Sequence, residues 1–355
     1  MDEACLYFAF NQMEYSEQKI QPVYIRDKRR IWPRVLGILA LLALVVVLGI
    51  SLIFNVILVS SRDTRVAGDG FNFTEKLIEG TGEKKIVIIP IQGLITFSAA
   101  ESFWPAESMG KQVVDRLRAA GKDPAVAGVI LKIDSPGGGI TASDVIHQQV
   151  SKLREEGKTV VALLEDLAAS GGYYVCAPSD LIIAHPTTVT GSIGVIIQSF
   201  NLEGLMEKIG LKDVTIKSGE QKDLLSPFRD LTPEEREILQ GVVDEMYERF
   251  VSIVAEGREM SPEKIRPLAD GRIFTGPRAR ELGLVDMIGY RGDAIAEARR
   301  LAELEEARVI EYKSPPSLWN ILGANLAESL APTAQLDLES LFGPGTPRLM
   351  YLWAL

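Results

Sequence analysis

The chain has 355 residues, of which 46% are hydrophobic and 24% are charged. This composition supports a sizeable folded core and excludes a globally disordered protein. The formal net charge of −10, with no concentrated basic face interleaved with aromatic residues, argues against a nucleic-acid partner. The two cysteines, Cys5 and Cys176, match no metal-ligand or redox spacing, and no nucleotide-binding motif is present. We therefore expect neither a metal nor a cofactor.

One long apolar segment lies near the N-terminus. Residues 35–59 read VLGILALLALVVVLGISLIFNVILV and contain no charged residue. A helix of about 20 residues crosses the hydrocarbon core of a bilayer, and the lack of a polar face argues against a buried helix of a soluble core. The segment is too long for the apolar region of a cleaved signal peptide, and no clear small-x-small site follows it. The sequence predicts an uncleaved, single-pass transmembrane anchor over 35–59.

Charged residues on the two sides of this anchor predict its orientation. Basic residues cluster before it, whereas basic and acidic residues are mixed after it. Since cytoplasmic flanks carry the excess of Lys and Arg, we expect a cytoplasmic tail over 1–34. A charged linker over 60–83 and the rest of the chain would then lie on the extracytoplasmic side of the cell membrane. The basic residues are Arg26, Lys28, Arg29, Arg30 and Arg34, and the mixed residues are Arg62, Asp63, Arg65 and Asp69.

From residue 84 onward, strand and helix patterns alternate. Continuous apolar, β-branched runs predict buried strands, and apolar residues at helical spacing predict the helices between them. This alternation is typical of an α/β domain with a mainly parallel sheet covered by helices, and we assign the domain to 84–312. The predicted strands are 85–95, 126–134, 159–166, 181–186 and 214–219, and the main predicted helices are 107–123, 141–157 and 232–260.

The C-terminal tail, residues 313–355, differs in composition from the domain. It is rich in Pro and Gly, yet it ends in the apolar sequence PRLMYLWAL. A solvated tail does not normally carry such a run of apolar side chains. We expect this end of the chain to pack in or near a substrate groove, or against a neighbouring subunit.

Three short stretches follow predicted strands: DSPGGG (134–139), AASGG (168–172) and KSGEQKD (217–223). Open parallel sheets bind their ligands beyond the carboxyl ends of the strands. We therefore expect these three loops to meet at one edge of the sheet and to form the functional site.

Ser170 is a candidate nucleophile, because its small neighbours let a substrate backbone approach its hydroxyl. The alternative is that Ser170 only caps a helix in a tight turn. The N–H groups of Gly137 and Gly138 also allow two interpretations. They either form a strand-to-helix turn or stabilise the charge that develops on a carbonyl oxygen, where losing one donor costs about 3 kcal/mol.

The base that would activate Ser170 is less clear from the residues alone. His147 lies two turns inside a predicted helix, and His185 lies at a strand end with no obvious carboxylate to orient it. A lysine, Lys217 or Lys222, can act instead if burial lowers its pKa by about three units from about 10.4. Asp223 would oppose that change if it paired with Lys222, although neighbouring side chains on an extended backbone point apart.

Together and in this order, DSPGG, AASGGYYVCAP, TVTGSIGVI and KSGEQKDLLSPFR resemble the motifs of the signal peptide peptidase A family. The resemblance runs collinearly from about Lys85 to Ala302 and leaves out the first 34 residues and the tail. It implies the ClpP/crotonase fold of a serine protease with a Ser–Lys dyad, with Ser170 as nucleophile and Lys222 as general base. It gives His185 and Lys217 no catalytic part.

The resemblance implies further residues, partners and substrates. Ser192 matches a hydroxyl that orients the lysine, and Gly137 and Gly171 match the backbone donors of the oxyanion hole. Members of the family assemble into rings, and short forms resemble octameric domes whose dyads are completed between adjacent subunits. Their substrates are signal-peptide remnants in the lipid bilayer, and other apolar peptides fit the same requirement. No metal or cofactor takes part.

Two other functions remain open at this point. A related membrane-bound protease that cleaves one dedicated membrane protein would carry similar motifs. A catalytically silent, ring-forming scaffold would keep the fold without depending on Ser170 or Lys222. A crotonase-type acyl-CoA enzyme is disfavoured, because such enzymes are soluble and need no outward-facing anchor.

Overall fold

The computed structural model describes residues 32–60, 65–68, 71–98, 107–313 and 349–352. The chain divides into two units, residues 1–62 and residues 63–355. Most of the expected cytoplasmic tail, including Cys5, lies outside the described residues, as does most of the tail after residue 313.

The first unit contains one helix, α1 (Trp32–Ser60), among the residues described. Its window 35–52 is apolar except for Ser51, and the residues in that window are exposed. The predicted anchor, residues 35–59, lies wholly within this helix. By length and composition, α1 can cross a membrane.

The second unit alternates strands and helices, as its sequence predicts. The strands are β1 (Arg65–Gly68), β2 (Phe71–Glu79), β3 (Lys85–Gln92), β4 (Val126–Ser135), β5 (Gly137–Gly139), β6 (Thr159–Ala169), β7 (Leu181–Ala184), β8 (Val189–Gly191), β9 (Ile196–Ile197), β10 (Ile273–Thr275), β11 (Met287–Ile288), β12 (Arg308–Lys313) and β13 (Leu349–Leu352). The helices are α2 (Met109–Lys122), α3 (Ile140–Glu155), α4 (Gly171–Cys176), α5 (Glu203–Ile209), α6 (Pro233–Gly257), α7 (Pro262–Ile265), α8 (Gly276–Glu281) and α9 (Arg291–Leu301).

Ten of the described strands form one sheet in the order β1-β2-β12-β3-β4-β6-β7-β11, to which β8 adds from β6 and β10 from β8. The pairs from β12 to β11 along this order are parallel, and so is β6 with β8. Only the edge pairs β1–β2, β2–β12 and β8–β10 are antiparallel among them. The predicted α/β fold with a mainly parallel sheet is confirmed.

Strand β3 shows why the predicted strands are apolar at consecutive positions. Val87, Ile89 and Ile91 belong to a core that includes residues of α2, α3 and α6. Ile86 and Ile88 belong to a second core, which includes residues of α9. Because successive side chains of a strand point to opposite faces, a strand covered by helices on both faces is apolar throughout its length.

Two predictions about local structure are wrong. The segment 60–83 is not only a linker, since β1 and β2 lie within it and β2 pairs with β12. Few of the described side chains of β2 are buried; one of them, Phe73, stacks on Tyr312 with ring centroids 5.6 Å apart. The predicted strand 214–219 has no strand partner among the described residues.

The packing of α6 against α4 leads to a stability prediction. Phe250 of α6 is fully buried, and its ring meets that of Tyr174 at a centroid distance of 5.0 Å. We expect Phe250→Ala to lower the free energy of unfolding by about 3–5 kcal/mol, because it removes a large buried ring. On the same helix, Ile238→Ala replaces an exposed side chain and should cost less than about 1 kcal/mol. Denaturation of the full chain in detergent measures both values, and equal losses would contradict this packing.

Candidate active site

Strand register brings two of the three predicted loops to one edge of the sheet. Ser135 at the end of β4 is opposite Ala168 of β6, and Ala169 of β6 is opposite Gly191 of β8. Ser170 follows β6 directly, and its N–H donates to the carbonyl oxygen of Gly191 at 2.8 Å. The loops that follow β4, β6 and β8 therefore meet around Ser170.

Ser170 has a strained backbone and a buried hydroxyl. Its φ of 52° and ψ of −116° are unusual for a residue other than glycine. The residue is 1% exposed, and its Oγ is buried without a hydrogen-bond partner among the described residues. Its side chain makes no capping bond to α4, so the helix-cap interpretation finds no support here. Strain combined with an unsatisfied buried hydroxyl is typical of a functional residue.

The predicted oxyanion glycines lie against each other. A Cβ placed on Gly171 would be 3.1 Å from the Cα of Gly137 and from the N of Gly138, and 2.6 Å from the Oγ of Ser143. The N–H of Gly137 donates to the Oγ of Ser135 at 3.1 Å. That N–H is therefore engaged here, and it would have to leave Ser135 before it could bind an oxyanion.

The C-terminal strand β13 runs beside these glycines. In a second sheet, β13 lies between β5 and β9 and is antiparallel to both. Leu352 is opposite Gly137, and Tyr351 is opposite Gly138. Strand β13, from the apolar end of the chain, thus lies beside the predicted oxyanion glycines, and the expectation that this end packs in a substrate groove stays a prediction.

Ser192 lies close to Ser170, because the two serines directly follow the paired strands β8 and β6. It directly follows Gly191, adopts a φ of 48° and is buried. Its N–H donates to the carbonyl oxygen of Arg272 at 2.8 Å. Ser192 also lines a cavity of about 600 Å³ between β9, α6 and the end of β13, where Leu352 contributes to the wall.

Lys222 and Ser170 are not brought together within this single chain. Lys222 lies in a 3₁₀ helix (Glu220–Asp223) and is exposed, and no hydrogen bond to the Oγ of Ser170 exists among the described residues. The neighbouring Asp223 accepts hydrogen bonds from Lys217 and Arg229, each with a closest approach of 2.7 Å. These bonds, that from Arg229 above all, hold the pKa of Asp223 well below its usual range.

The two histidines are also apart from the Ser170 hydroxyl. His147 is half-buried against the ring of Tyr174, at a centroid distance of 5.3 Å, and its burial lowers its pKa. His185 packs on Tyr290, and its Nε2 is buried without a partner among the described residues. Neither histidine therefore contacts Ser170 in the way that a base of a Ser–His pair would.

Three residues of the site were not identified from the sequence. Ser135 binds Gly137, Ser143 packs against Gly171, and Arg229 holds Asp223. Arg229 closes the stretch KSGEQKDLLSPFR, so its place beside the lysine motif was the only available signal. The two serines are ordinary residues in sequence, and only the close approach of the glycine loops gives them a role.

The tight contact at Gly171 gives a prediction for reactivity. In Gly171→Ala, the new Cβ would displace the Gly137–Gly138 turn from its position beside Ser170. We expect Ser170 to react with a fluorophosphonate about 100-fold more slowly, which is the usual effect of losing one oxyanion donor. Gly241→Ala is the matched control, because nothing lies within 4 Å of its Cβ position. Labelling of Gly171→Ala at the wild-type rate would show that the contact does not matter.

Comparison with known proteins identifies a family whose matched region includes the site residues. The profile of Peptidase family S49 matches residues 152–305, a range that includes Ser170, Ser192 and Lys222. The chain is 40% identical over 290 residues to an Enterococcus faecium protein named as a signal peptide peptidase SppA, covering 79% of this chain and 84% of that protein. It is 35% identical over 247 residues to the chloroplastic serine protease SPPA of Arabidopsis thaliana, covering 68% of this chain and 36% of that protein.

Among solved structures, the chain is similar to a ClpP1 mutant from Listeria monocytogenes. The identity is 19%, the TM-score is 0.39, and the match covers 59% of this chain and 94% of the other. The family assignment does not depend on this likeness, because the Enterococcus faecium relative is matched over most of its length. The chain belongs to Peptidase family S49 and is a serine protease of that family.

Proposed function

We propose that the protein is a membrane-anchored serine endopeptidase that uses Ser170 and Lys222 to degrade remnant signal peptides after their release from preproteins. The observation that carries this proposal is Ser170 itself. A strained, buried and unpartnered hydroxyl follows a parallel strand and lies beside the Gly137 and Gly171 backbones. The name of the Enterococcus faecium relative supports the substrate class.

The groove between β5 and β9 fits an extended peptide. The chain's own β13 occupies it as an added strand, with backbone pairing to Gly137–Gly139 on one side and to Ile196–Ile197 on the other. In strand addition of this kind, main-chain hydrogen bonds provide the affinity, and pockets that accept alternate side chains provide the specificity. A signal-peptide remnant is apolar, so it can pair in the same way and place a side chain in the cavity that Leu352 lines.

The reaction we propose is acyl transfer through a serine ester. The neutral amine of Lys222 takes the proton of the Ser170 hydroxyl as the Oγ bonds to the peptide carbonyl carbon. The backbone N–H of Gly171, together with one from the Gly137–Gly138 turn, stabilises the oxyanion. The C–N bond then breaks, Lys222 gives the proton to the leaving amine, and it next activates the water that hydrolyses the ester. Ser192 would orient the amine.

We propose that Lys222 acts on Ser170 of an adjacent copy in a ring. In the single chain, Lys222 is exposed and follows an extended segment whose apolar side chains lack cover. Val214 and Ile216 in that segment are 84% and 96% exposed. Burial of this segment against a neighbour would place the amine in apolar surroundings, and such surroundings favour its neutral form. An octamer-like ring is what the family resemblance implies.

Helix α1 would hold the protease at its substrate. The basic cluster before residue 35, including Arg29, Arg30 and Arg34, supports a cytoplasmic tail over 1–34, an anchor over 35–59 and an extracytoplasmic catalytic domain. That domain would extend from the segment 60–83, which adds strands to it, through residue 312, and the tail 313–355 would supply β13. Signal-peptide remnants lie in the same bilayer, so the anchor raises their local concentration.

The dyad leads to a prediction for the full chain in detergent. With an apolar signal-like peptide and a fluorophosphonate probe, the wild type should cleave the peptide and become labelled. Ser170→Ala should do neither, and Lys222→Ala should lose cleavage by at least about 1,000-fold while it stays folded, as expected for loss of an essential base. Ser192→Ala should retain reduced activity.

His185→Ala is the control for the base, since it removes a titratable side chain outside the proposed dyad. It should cleave at nearly the wild-type rate once its folding is verified. The assignment of the base is wrong if Lys222→Ala cleaves normally and His185→Ala does not.

The position of β13 leads to a further prediction. Deleting residues 344–355 removes the strand that occupies the groove, so peptide KM should fall and fluorophosphonate labelling of Ser170 should accelerate, each several-fold. An equally long deletion over 320–331 keeps β13 and serves as the control. Unchanged KM and labelling in the first deletion would mean that β13 does not compete with substrate.

A further inference from the structure

We propose that Arg229 is a positioning residue that holds the Asp223 carboxylate away from the Lys222 amine and so keeps the base able to accept a proton. This inference rests on the proposed function, because it assigns a task to Arg229 only if Lys222 is the base. The sequence places the carboxylate of Asp223 directly after Lys222. A pairing between the two would favour the charged form of the lysine, whereas a base must be neutral.

The structure resolves that conflict by giving Asp223 other partners. The Nε and Nη2 of Arg229 donate to the two carboxylate oxygens of Asp223 at 3.0 and 2.7 Å. Lys217 adds a hydrogen bond to Oδ1 at 2.7 Å. Both carboxylate oxygens are therefore engaged, and no ion pair between Asp223 and Lys222 exists among the described residues.

Arg229 also ties this turn to a long helix. Its Nη1 donates to Glu235 Oε2 at 2.9 Å and to the carbonyl oxygen of Asp230 at 3.0 Å. Glu235 is buried at the start of α6, where it forms a capping box with Thr232. One guanidinium thus joins the 3₁₀ helix that bears Lys222 to the N-terminus of α6, and its planar geometry suits two bidentate carboxylates.

The charges around Lys222 explain why this arrangement matters. Glu220 and Asp223 lie on its own turn, Lys217 precedes it, and Arg229 and Glu235 follow it. Arg229 and Lys217 together balance the charges of Asp223 and Glu235, so the Asp223 carboxylate exerts little attraction on the amine. If Asp223 is released, its charge is no longer balanced next to Lys222 and favours the protonated form of that lysine. A protonated lysine cannot take the proton of Ser170.

The pH dependence of cleavage tests this assignment in the full chain in detergent, with a fluorogenic signal-like peptide. In the proposed function, the acid limb of kcat/KM reports the deprotonation of Lys222 in the free enzyme. Arg229→Met should move this limb upward by about half a pH unit, because Asp223 keeps partial contact with solvent, which screens its charge. The corresponding loss is about threefold below the limb. Removing Lys217 as well should move the limb further.

Adding Asp223→Asn to Arg229→Met should bring the limb back to the wild-type position, since the released anion is then absent. Arg236→Met is the matched control: it removes a nearby exposed arginine that makes no hydrogen bond to Asp223, and its profile should match the wild type. If Arg229→Met fails to fold, Arg229→Lys, which keeps one charge but not the bidentate bonds, should show a smaller shift of the same sign.

A uniform loss of kcat/KM at all pH values, without a shift and without restoration by Asp223→Asn, would overturn the inference and leave Arg229 a structural role alone. This result is distinct from failure of the proposed function, in which Lys222→Ala would keep its activity. An inactive Lys222→Ala with an unmoved limb in Arg229→Met would contradict only the role of Arg229.

Discussion

The parallel pairing of β6 with β8 is the constraint on which the site depends. The hydrogen bond from the Ser170 N–H to the Gly191 oxygen continues that pairing one residue beyond β6. It fixes where the strand ends and forces the chain to turn at once into α4, whose first backbone bond runs from Tyr174 to the oxygen of Ser170. A positive φ at a serine persists because both sides of the turn are held in this way.

Proton transfer from the Ser170 hydroxyl requires a neutral base, which this turn does not supply. The Ser170 hydroxyl is buried, whereas the lysine proposed as its base is exposed in the same chain. An exposed lysine is almost wholly protonated at neutral pH, and making it neutral requires a change of about 4 kcal/mol in its surroundings. Removing water from Val214 and Ile216 by contact with a second copy would both supply that change and stabilise the assembly. Catalysis and association would then share one surface.

The features that the sequence predicted correctly are those that depend on short local patterns. Apolar runs located the central strands, and the order of the glycine and serine motifs located Ser170 and its neighbours at one edge of the sheet. The sequence could not reveal β2, because most described side chains of this strand are exposed or only partly buried, and its partner β12 lies more than 200 residues away. It also missed the bond from Arg229 to Asp223, since which acidic residue an arginine binds depends on how a loop folds. The dyad itself stays a prediction.

The position of β13 bears on how such a protease is kept from acting on other proteins. A strand tethered to its own groove has an effective concentration in the millimolar range for short flexible linkers, and lower for longer ones. A free soluble peptide at micromolar concentration would then compete poorly, whereas under the proposed function a remnant confined to the bilayer beside an anchored enzyme would itself be concentrated. Main-chain pairing with Gly137–Gly139 carries little sequence information, because it uses no side chains. Selection for membrane remnants would therefore come as much from this competition between tethered strands as from the fit of any side-chain pocket.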